Sequence, residues 1–102
     1  ASCGVVVMGD RAVRPTDVDL STCGIVVTLN GEIISTGAGA AALGSPVNCV
    51  TWLANTLGAR GIALEAGEVI LSGSLVPLQP VKPGDNMHLA LGGIGQCAVR
   101  FT

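Results

Sequence analysis

Two small polar clusters could do chemistry in this chain, Ser2-Cys3-Gly4 and Ser72-Gly73-Ser74. The second follows an apolar run, Glu68 to Leu71, that reads as a buried strand. A strand that ends in serine and glycine presents hydroxyls and backbone N–H groups. Glycine also lets a ligand come close to the main chain. The expected chemistry is hydrogen bonding to an oxygen-rich ligand; the competing reading is a turn whose serines cap their own backbone. Nucleophilic attack is not expected, because a serine needs an activating base. The single histidine, His88, lies in a strand pattern with no partner visible along the sequence.

Other candidates are weaker. Asp17 and Asp19 would share one face of a strand and could hold Mg²⁺. They follow Pro15 in a polar connection, so a solvated loop is the expectation. Glu65 and Glu68 flank Gly67 as surface charges. Cys3, Cys23, Cys49 and Cys97 are too widely spaced for a zinc site and stand in apolar contexts. Buried free thiols in a reducing cytoplasm are expected. Gly37 to Gly44 contains Gly-Ala-Gly but no dinucleotide fingerprint. Trp52 is expected to be packing. The five basic residues are spread along the chain and the net charge is -2, which argues against nucleic acid. No apolar run reaches membrane-spanning length.

The elements that must position these residues are those of one domain, 1–102. Gly4 to Met8, with three consecutive valines, reads as a strand. Gly24 to Leu29 and Glu32 to Thr36 flank Asn30-Gly31, the strongest short hairpin signal. Gly37 to Gly44 is small and flexible. Ser45 caps a helix with Pro46 at its first position, and Val47, Val50, Leu53, Ala54 and Leu57 share one face. Gly58 stops it, helped by Arg60 and Gly61. After Glu68 to Leu71 and the Pro83-Gly84-Asp85 turn, Asn86 to Leu91 alternates, with Met87, Leu89 and Leu91 on one side. Gln96 to Thr102 alternates again, with Cys97, Val99 and Phe101 inward. The class is α+β, a mixed β structure with one main helix packed on the sheet. Charged residues are only 12% and hydrophobic residues 49%, so a homo-oligomer or a missing covering segment is expected. A chain that opens with Ala1 inside a strand-like run reads as a fragment.

The segments Leu20-Ser-Thr-Cys-Gly-Ile-Val26, Asn30-Gly-Glu32, Ser35-Thr-Gly-Ala-Gly-Ala40, Leu43-Gly-Ser-Pro-Val-Asn48 and Trp52-Leu-Ala-Asn-Thr-Leu57 occur in that order. They are followed by Ala66-Gly-Glu-Val-Ile-Leu-Ser-Gly73, Pro83-Gly-Asp85, Gly93-Ile-Gly95 and Val99-Arg-Phe101. Together they resemble the C-terminal part of the 2-keto-4-pentenoate hydratases and 4-oxalocrotonate decarboxylases, in the fumarylacetoacetate hydrolase superfamily. The resemblance covers essentially the whole chain, of a family more than twice its length. It implies a mixed β-roll. It also implies a hydro-lyase of aromatic or steroid degradation that adds water to 2-hydroxypenta-2,4-dienoate-type acids, giving 4-hydroxy-2-oxo acids. In the full-length family Mg²⁺ or Mn²⁺ serves as a Lewis acid.

The family's metal ligands, a Glu-x-Glu pair and a further acidic residue, and its acid/base lysine belong to the part upstream of Ala1. No Glu-x-Glu exists here, and Lys82 is in a proline-flanked turn. This chain alone is expected to bind no metal and to be inactive by itself. What the resemblance carries over is Ser2 as a catalytic-segment residue, and Cys3, Ser72, Gly73 and Ser74 as substrate-binding residues. The run Leu71-Ser-Gly-Ser-Leu-Val-Pro77 looks more like the hydratases than the decarboxylases. A decarboxylase segment, or a non-catalytic binding or assembly module that keeps the fold, is the alternative.

Overall fold

The structure, a computed structural model, describes residues 4–102. The expected Ser2 and Cys3 therefore lie outside the described residues. Four strands form one antiparallel sheet: β1 (Gly24–Leu29), β2 (Glu32–Ala38), β3 (Asn86–Leu91) and β4 (Gly95–Arg100), in the order β2-β1-β3-β4. One helix, α1 (Pro46–Gly58), follows a short 3-10 turn at Gly39–Ala41. The α+β class with one hairpin and one main helix is as the sequence indicates.

The hairpin turns at Asn30 and Gly31, with φ of 52° and 85°. Both central positions of a type I′ turn need positive φ, which Asn tolerates and Gly adopts freely. The β1–β2 register slips between Val27 and Thr28: Val27 faces Ser35 while Thr28 faces Ile33, leaving Ile34 as the extra residue of a bulge. On one sheet face Ile25 and Val27 pair with Leu91 and Leu89 of β3, and Leu89 pairs with Cys97 of β4. Ile25 and Val27 are buried, which makes this face the core. The other face carries Val26, His88 and Gln96; the His88 Nε2 and Gln96 Oε1 atoms are 2.7 Å apart.

The hairpin is tied to the start of β3 by a polar knot. Asn30 Nδ2 donates to Asp85 Oδ1 at 3.0 Å, and the Lys82 N–H donates to Asp85 Oδ2 at 3.0 Å. Asn30 Oδ1 in turn accepts from the Asn86 N–H at 2.9 Å. Asp85 is the one buried charged residue of the described chain. The Asn30 amide, then the Lys82 N–H, hold its carboxyl below its ordinary value of 3.8. A carboxylate whose folded-state pKa is depressed contributes stability that is fully present above the unfolded value and lost as pH falls through the folded one. Asp85→Ala is therefore expected to melt several degrees below wild type at pH 7. The gap should narrow once the pH falls below about 4. Thermal melts followed by circular dichroism at the two pH values check this; a gap that widens in acid would contradict it.

Helix α1 starts as expected. Ser45 Oγ accepts from the Val47 N–H at 3.3 Å, and Pro46 occupies the first turn. At the other end Leu57 O accepts from the N–H groups of Arg60 (2.9 Å) and Ile62 (3.0 Å). No helix residue is fully buried, and Val47 and Ala54 of the anticipated apolar face are exposed.

Two expected strands are not strands. Gly4 to Met8 is irregular and exposed, with Val5 82% accessible. It touches the sheet at Gly9, where a Cβ would lie 2.7 Å from the Gln96 carbonyl oxygen. Glu68 to Leu71 is also irregular. Its first residue is taken into a local turn: the Glu68 N–H donates to Glu65 O at 3.2 Å, and Glu68 Oε1 accepts from the Glu65 N–H at 2.9 Å. β propensity makes a strand only where a neighbour receives the backbone hydrogen bonds. Among the described residues no strand is paired with either run. The Gly37 to Gly44 stretch is not a loose linker either. It finishes β2 and enters the 3-10 turn, held by the Gly39 N–H on Cys23 O at 2.9 Å and the Ala40 N–H on Ser21 O at 2.8 Å.

Candidate functional site: a serine elbow between two cavities

The elbow Ser72-Gly73-Ser74 is set by its neighbours on both sides. Upstream, Ile70 and Leu71 run past α1. Downstream, Leu75 lies against β2: a Cβ on Gly37 would strike the Leu75 carbonyl oxygen. Farther on, Gln79 Nε2 donates to Ser35 Oγ at 3.1 Å and ties the same segment to β2 again. Glycine at 37 is what lets the elbow segment press onto the sheet.

The elbow separates two cavities. The helix-side cavity, about 360 Å³, lies between α1 and the Ile70–Ser74 segment, with Leu43, Trp52, Leu53 and Leu71 in its wall. The sheet-side cavity, about 420 Å³, lies over the core face, with Ile25, Leu89, Leu91 and Ile94 in its wall. Ser72, Gly73 and Ser74 line both. Gly73 adopts φ of 115°, in the region that favours glycine, and a Cβ there would meet nothing within 4 Å. The backbone at Gly73 is thus bare and approachable.

The two serines differ. Ser74 Oγ donates to the Val76 carbonyl and accepts from the Val76 N–H at 3.3 Å. It caps its own turn, which is the competing reading realised for one residue of the pair. Ser72 is half-buried, and its hydroxyl has no such partner among the described residues.

The remaining candidates resolve into structure. Asp19 Oδ1 accepts from the Ser21 N–H at 3.0 Å and the Thr22 N–H at 3.4 Å, a side chain closing its own loop. Asp17 is exposed in a turn. Cys23 is buried, and its Sγ donates to Leu20 O at 3.4 Å; Cys49 and Cys97 are half-buried, and all three are free thiols. Trp52 corrects an expectation: it is 60% exposed and forms cavity wall rather than core. It is the only tryptophan, and the chain has no tyrosine. That composition, with Trp52 six residues after the helix start at Pro46, was the sole hint available in the sequence.

Among the described residues no group of three His, Cys, Asp or Glu side chains could hold a metal ion. The described residues therefore offer no ligand set that fits the divalent cation the family resemblance implies. Among the described residues no helix is long and apolar enough to cross a membrane.

An antiparallel sheet with one helix, and a hydroxyl-bearing elbow between two cavities, define an α+β unit. Residues 1–102 match the fumarylacetoacetate hydrolase C-terminal family model, and the chain belongs to that family. A 2-hydroxyhexa-2,4-dienoate hydratase of Comamonas testosteroni is 47% identical over 102 residues, covering 100% of this chain and 39% of the relative. A 2-hydroxypent-2,4-dienoate hydratase of Pseudomonas putida is 71% identical over 63 residues, 62% of this chain and 28% of the relative. Among solved structures, 4-oxalocrotonate decarboxylase from Pseudomonas putida G7, complexed with magnesium and adipate, superposes with a TM-score of 0.86 at 42% identity. The same decarboxylase complexed with calcium and acetate gives 0.87. These alignments cover 92% of this chain and 36% of the decarboxylase. The chain spans about 39% of the length of the relatives it matches from end to end.

Proposed function

We propose that this chain is the substrate-side wall of a hydratase that adds water to 2-hydroxypenta-2,4-dienoate-type acids. The product is a 4-hydroxy-2-oxo acid. The observation that carries the proposal is the elbow itself, with Ser72 unengaged and Gly73 open between two apolar cavities. An acid with several oxygens at one end and a hydrocarbon chain at the other needs such a wall. Ser72 donates its hydroxyl hydrogen to a substrate oxygen. Gly73 keeps the main chain low so that the substrate reaches it. Ser74 holds the turn in shape through Val76. Ser2, as a catalytic residue, and Cys3, as a substrate-binding residue, belong to the same proposal.

Among the described residues the elbow has no acid/base pair and no set of metal ligands beside it, so in this proposal the chemical step draws on groups from elsewhere in a complete enzyme. Hydratase matches at 47% and 48% identity over essentially the whole chain support the choice of hydration. Three other hydratases match at 38–41%, below a decarboxylase at 42% over 96 residues.

The test is a chimera. The matched part of the Comamonas testosteroni hydratase, which aligns over all 102 residues, is replaced by this chain, and hydration is followed by loss of the dienoate's ultraviolet absorbance. The chimera is expected to hydrate the substrate, and this chain alone, with Mg²⁺ present, is expected not to. Ser72→Ala in the chimera is expected to lower kcat/KM by about tenfold to hundredfold, the effect of one lost hydrogen bond to a charged oxygen. Ser74→Ala should instead act mainly on stability. Activity of the isolated chain, or a Ser72→Ala chimera as fast as its parent, would sink the reading.

A further inference from the structure

The two cavities beside the elbow are not equivalent. Beyond the elbow serines, the sheet-side cavity is walled mainly by aliphatic side chains, including buried Ile25, with the Cys23 thiol, and has no aromatic residue. The helix-side cavity has Trp52, and its volume of about 360 Å³ is at the lower end of the range for small-molecule sites, about 300–1,000 Å³. Trp52 is 60% exposed there, and Leu71 (63%) and Leu43 (65%) beside it are also open. A large aromatic face left accessible in a concave site is apolar area still available for burial. It also has a shape preference. A flat π face gains most from a flat, conjugated partner, whereas aliphatic walls do not distinguish a flat chain from a kinked one.

We propose that the cavity between α1 and the Ile70–Ser74 segment takes the conjugated hydrocarbon part of a dienoic acid, laid flat against Trp52, with Leu43 and Leu71 closing its edges and the oxygen-bearing end at Ser72. The placement of the oxygens rests on the function proposed above; the selection for a conjugated chain rests on Trp52 and the cavity alone. Trp52 is thereby a specificity-determining residue for diene against saturated chain.

Trp52 also reports on itself, because it is the only tryptophan in a chain without tyrosine. The probes are hexa-2,4-dienoate and its saturated counterpart hexanoate, titrated into this chain while indole fluorescence is followed. Hexa-2,4-dienoate is expected to perturb the emission saturably and to bind about fivefold tighter than hexanoate, the gain expected of one stacking contact. Leu71→Ser and Leu43→Ser alter exposed side chains, so the fold survives. Each is expected to weaken dienoate binding by about threefold to tenfold. Ser72→Ala is expected to weaken both acids while leaving the ratio between them near fivefold. Equal affinity for the two acids overturns the inference, as does an absence of saturable response, or a dienoate affinity unmoved in both Leu71→Ser and Leu43→Ser. If the dienoate preference persists while Ser72→Ala changes neither affinity, the tail site stands and the head-group role of Ser72 falls.

Discussion

Gly39→Ala is expected to lower the thermal midpoint of this chain by about 12 °C or more, or to prevent folding outright. Gly39 is buried where β2 gives way to the 3-10 turn. A Cβ there would fall on the Leu20 carbonyl oxygen and come within 3.2 Å of Cys23 Sγ. The obstacle is backbone, so no rotamer change relieves it. Either the 20–23 loop or the turn must move. Movement breaks the bonds between the two segments, the Gly39 N–H on Cys23 O and the Ala40 N–H on Ser21 O. Overpacking of this kind costs about 1–3 kcal/mol, and each lost hydrogen bond adds about 1 kcal/mol, so a total of roughly 3 kcal/mol or more is expected. Gly58→Ala is the control. A Cβ at Gly58, the last helix residue, meets nothing within 4 Å, and alanine is the better helix former. Melting curves by circular dichroism should show the control at or slightly above wild type. A Gly39→Ala protein that melts with the wild type would mean that the loop and the turn are not in contact.

The second large effect falls on the site rather than on the fold. Gly37→Ala is expected to weaken binding of hexa-2,4-dienoate at least about tenfold while leaving the chain folded. The added Cβ would strike the Leu75 carbonyl oxygen and would press on Ile25 Cγ2 at 3.3 Å. Ile25 is buried at 6% accessibility and locked between β2 and β3, so it yields little. Leu75 is half-buried in a segment outside the sheet, so it moves first. Leu75 adjoins Ser74, and its displacement carries the elbow with it. The expected signature is lost ligand response of Trp52 fluorescence together with a circular dichroism spectrum close to that of the wild type. Retained affinity in Gly37→Ala would show that the elbow does not depend on its seat against β2.

How much of this was legible in the sequence depends on how local each signal was. The Asn30-Gly31 hairpin, the Ser45-Pro46 helix start and the limits of β3 rest on two or three adjacent residues whose own backbone preferences decide the outcome. The alternation of Cys97 and Val99 with Gln96 and Ala98 likewise gave the inward face of β4. Gly4–Met8 and Glu68–Leu71 failed for the opposite reason. Their residues favour strands, but a strand is a pairing, and among the described residues nothing pairs with them. The polar knot was out of reach as well, because Asn30 and Asp85 are 55 residues apart and each looks like an ordinary turn residue. Trp52 looked like core because large aromatics usually are; helix α1 simply has too little structure over it to bury that face.

The order of residues by itself determined the class of the chain, its hairpin and its helix, and it singled out Ser72-Gly73-Ser74 for the proposal made above. These follow from local conformational preference and from an ordered set of short motifs. Only the tertiary structure decided which serine is available. Val76, two residues on, takes the Ser74 hydroxyl, while Ser72 faces cavities built from α1 on one side and the β1–β3 face on the other. The Ser74–Val76 bond is local, but the cavities arise from segments brought together across the chain, and no single stretch of sequence contains that information.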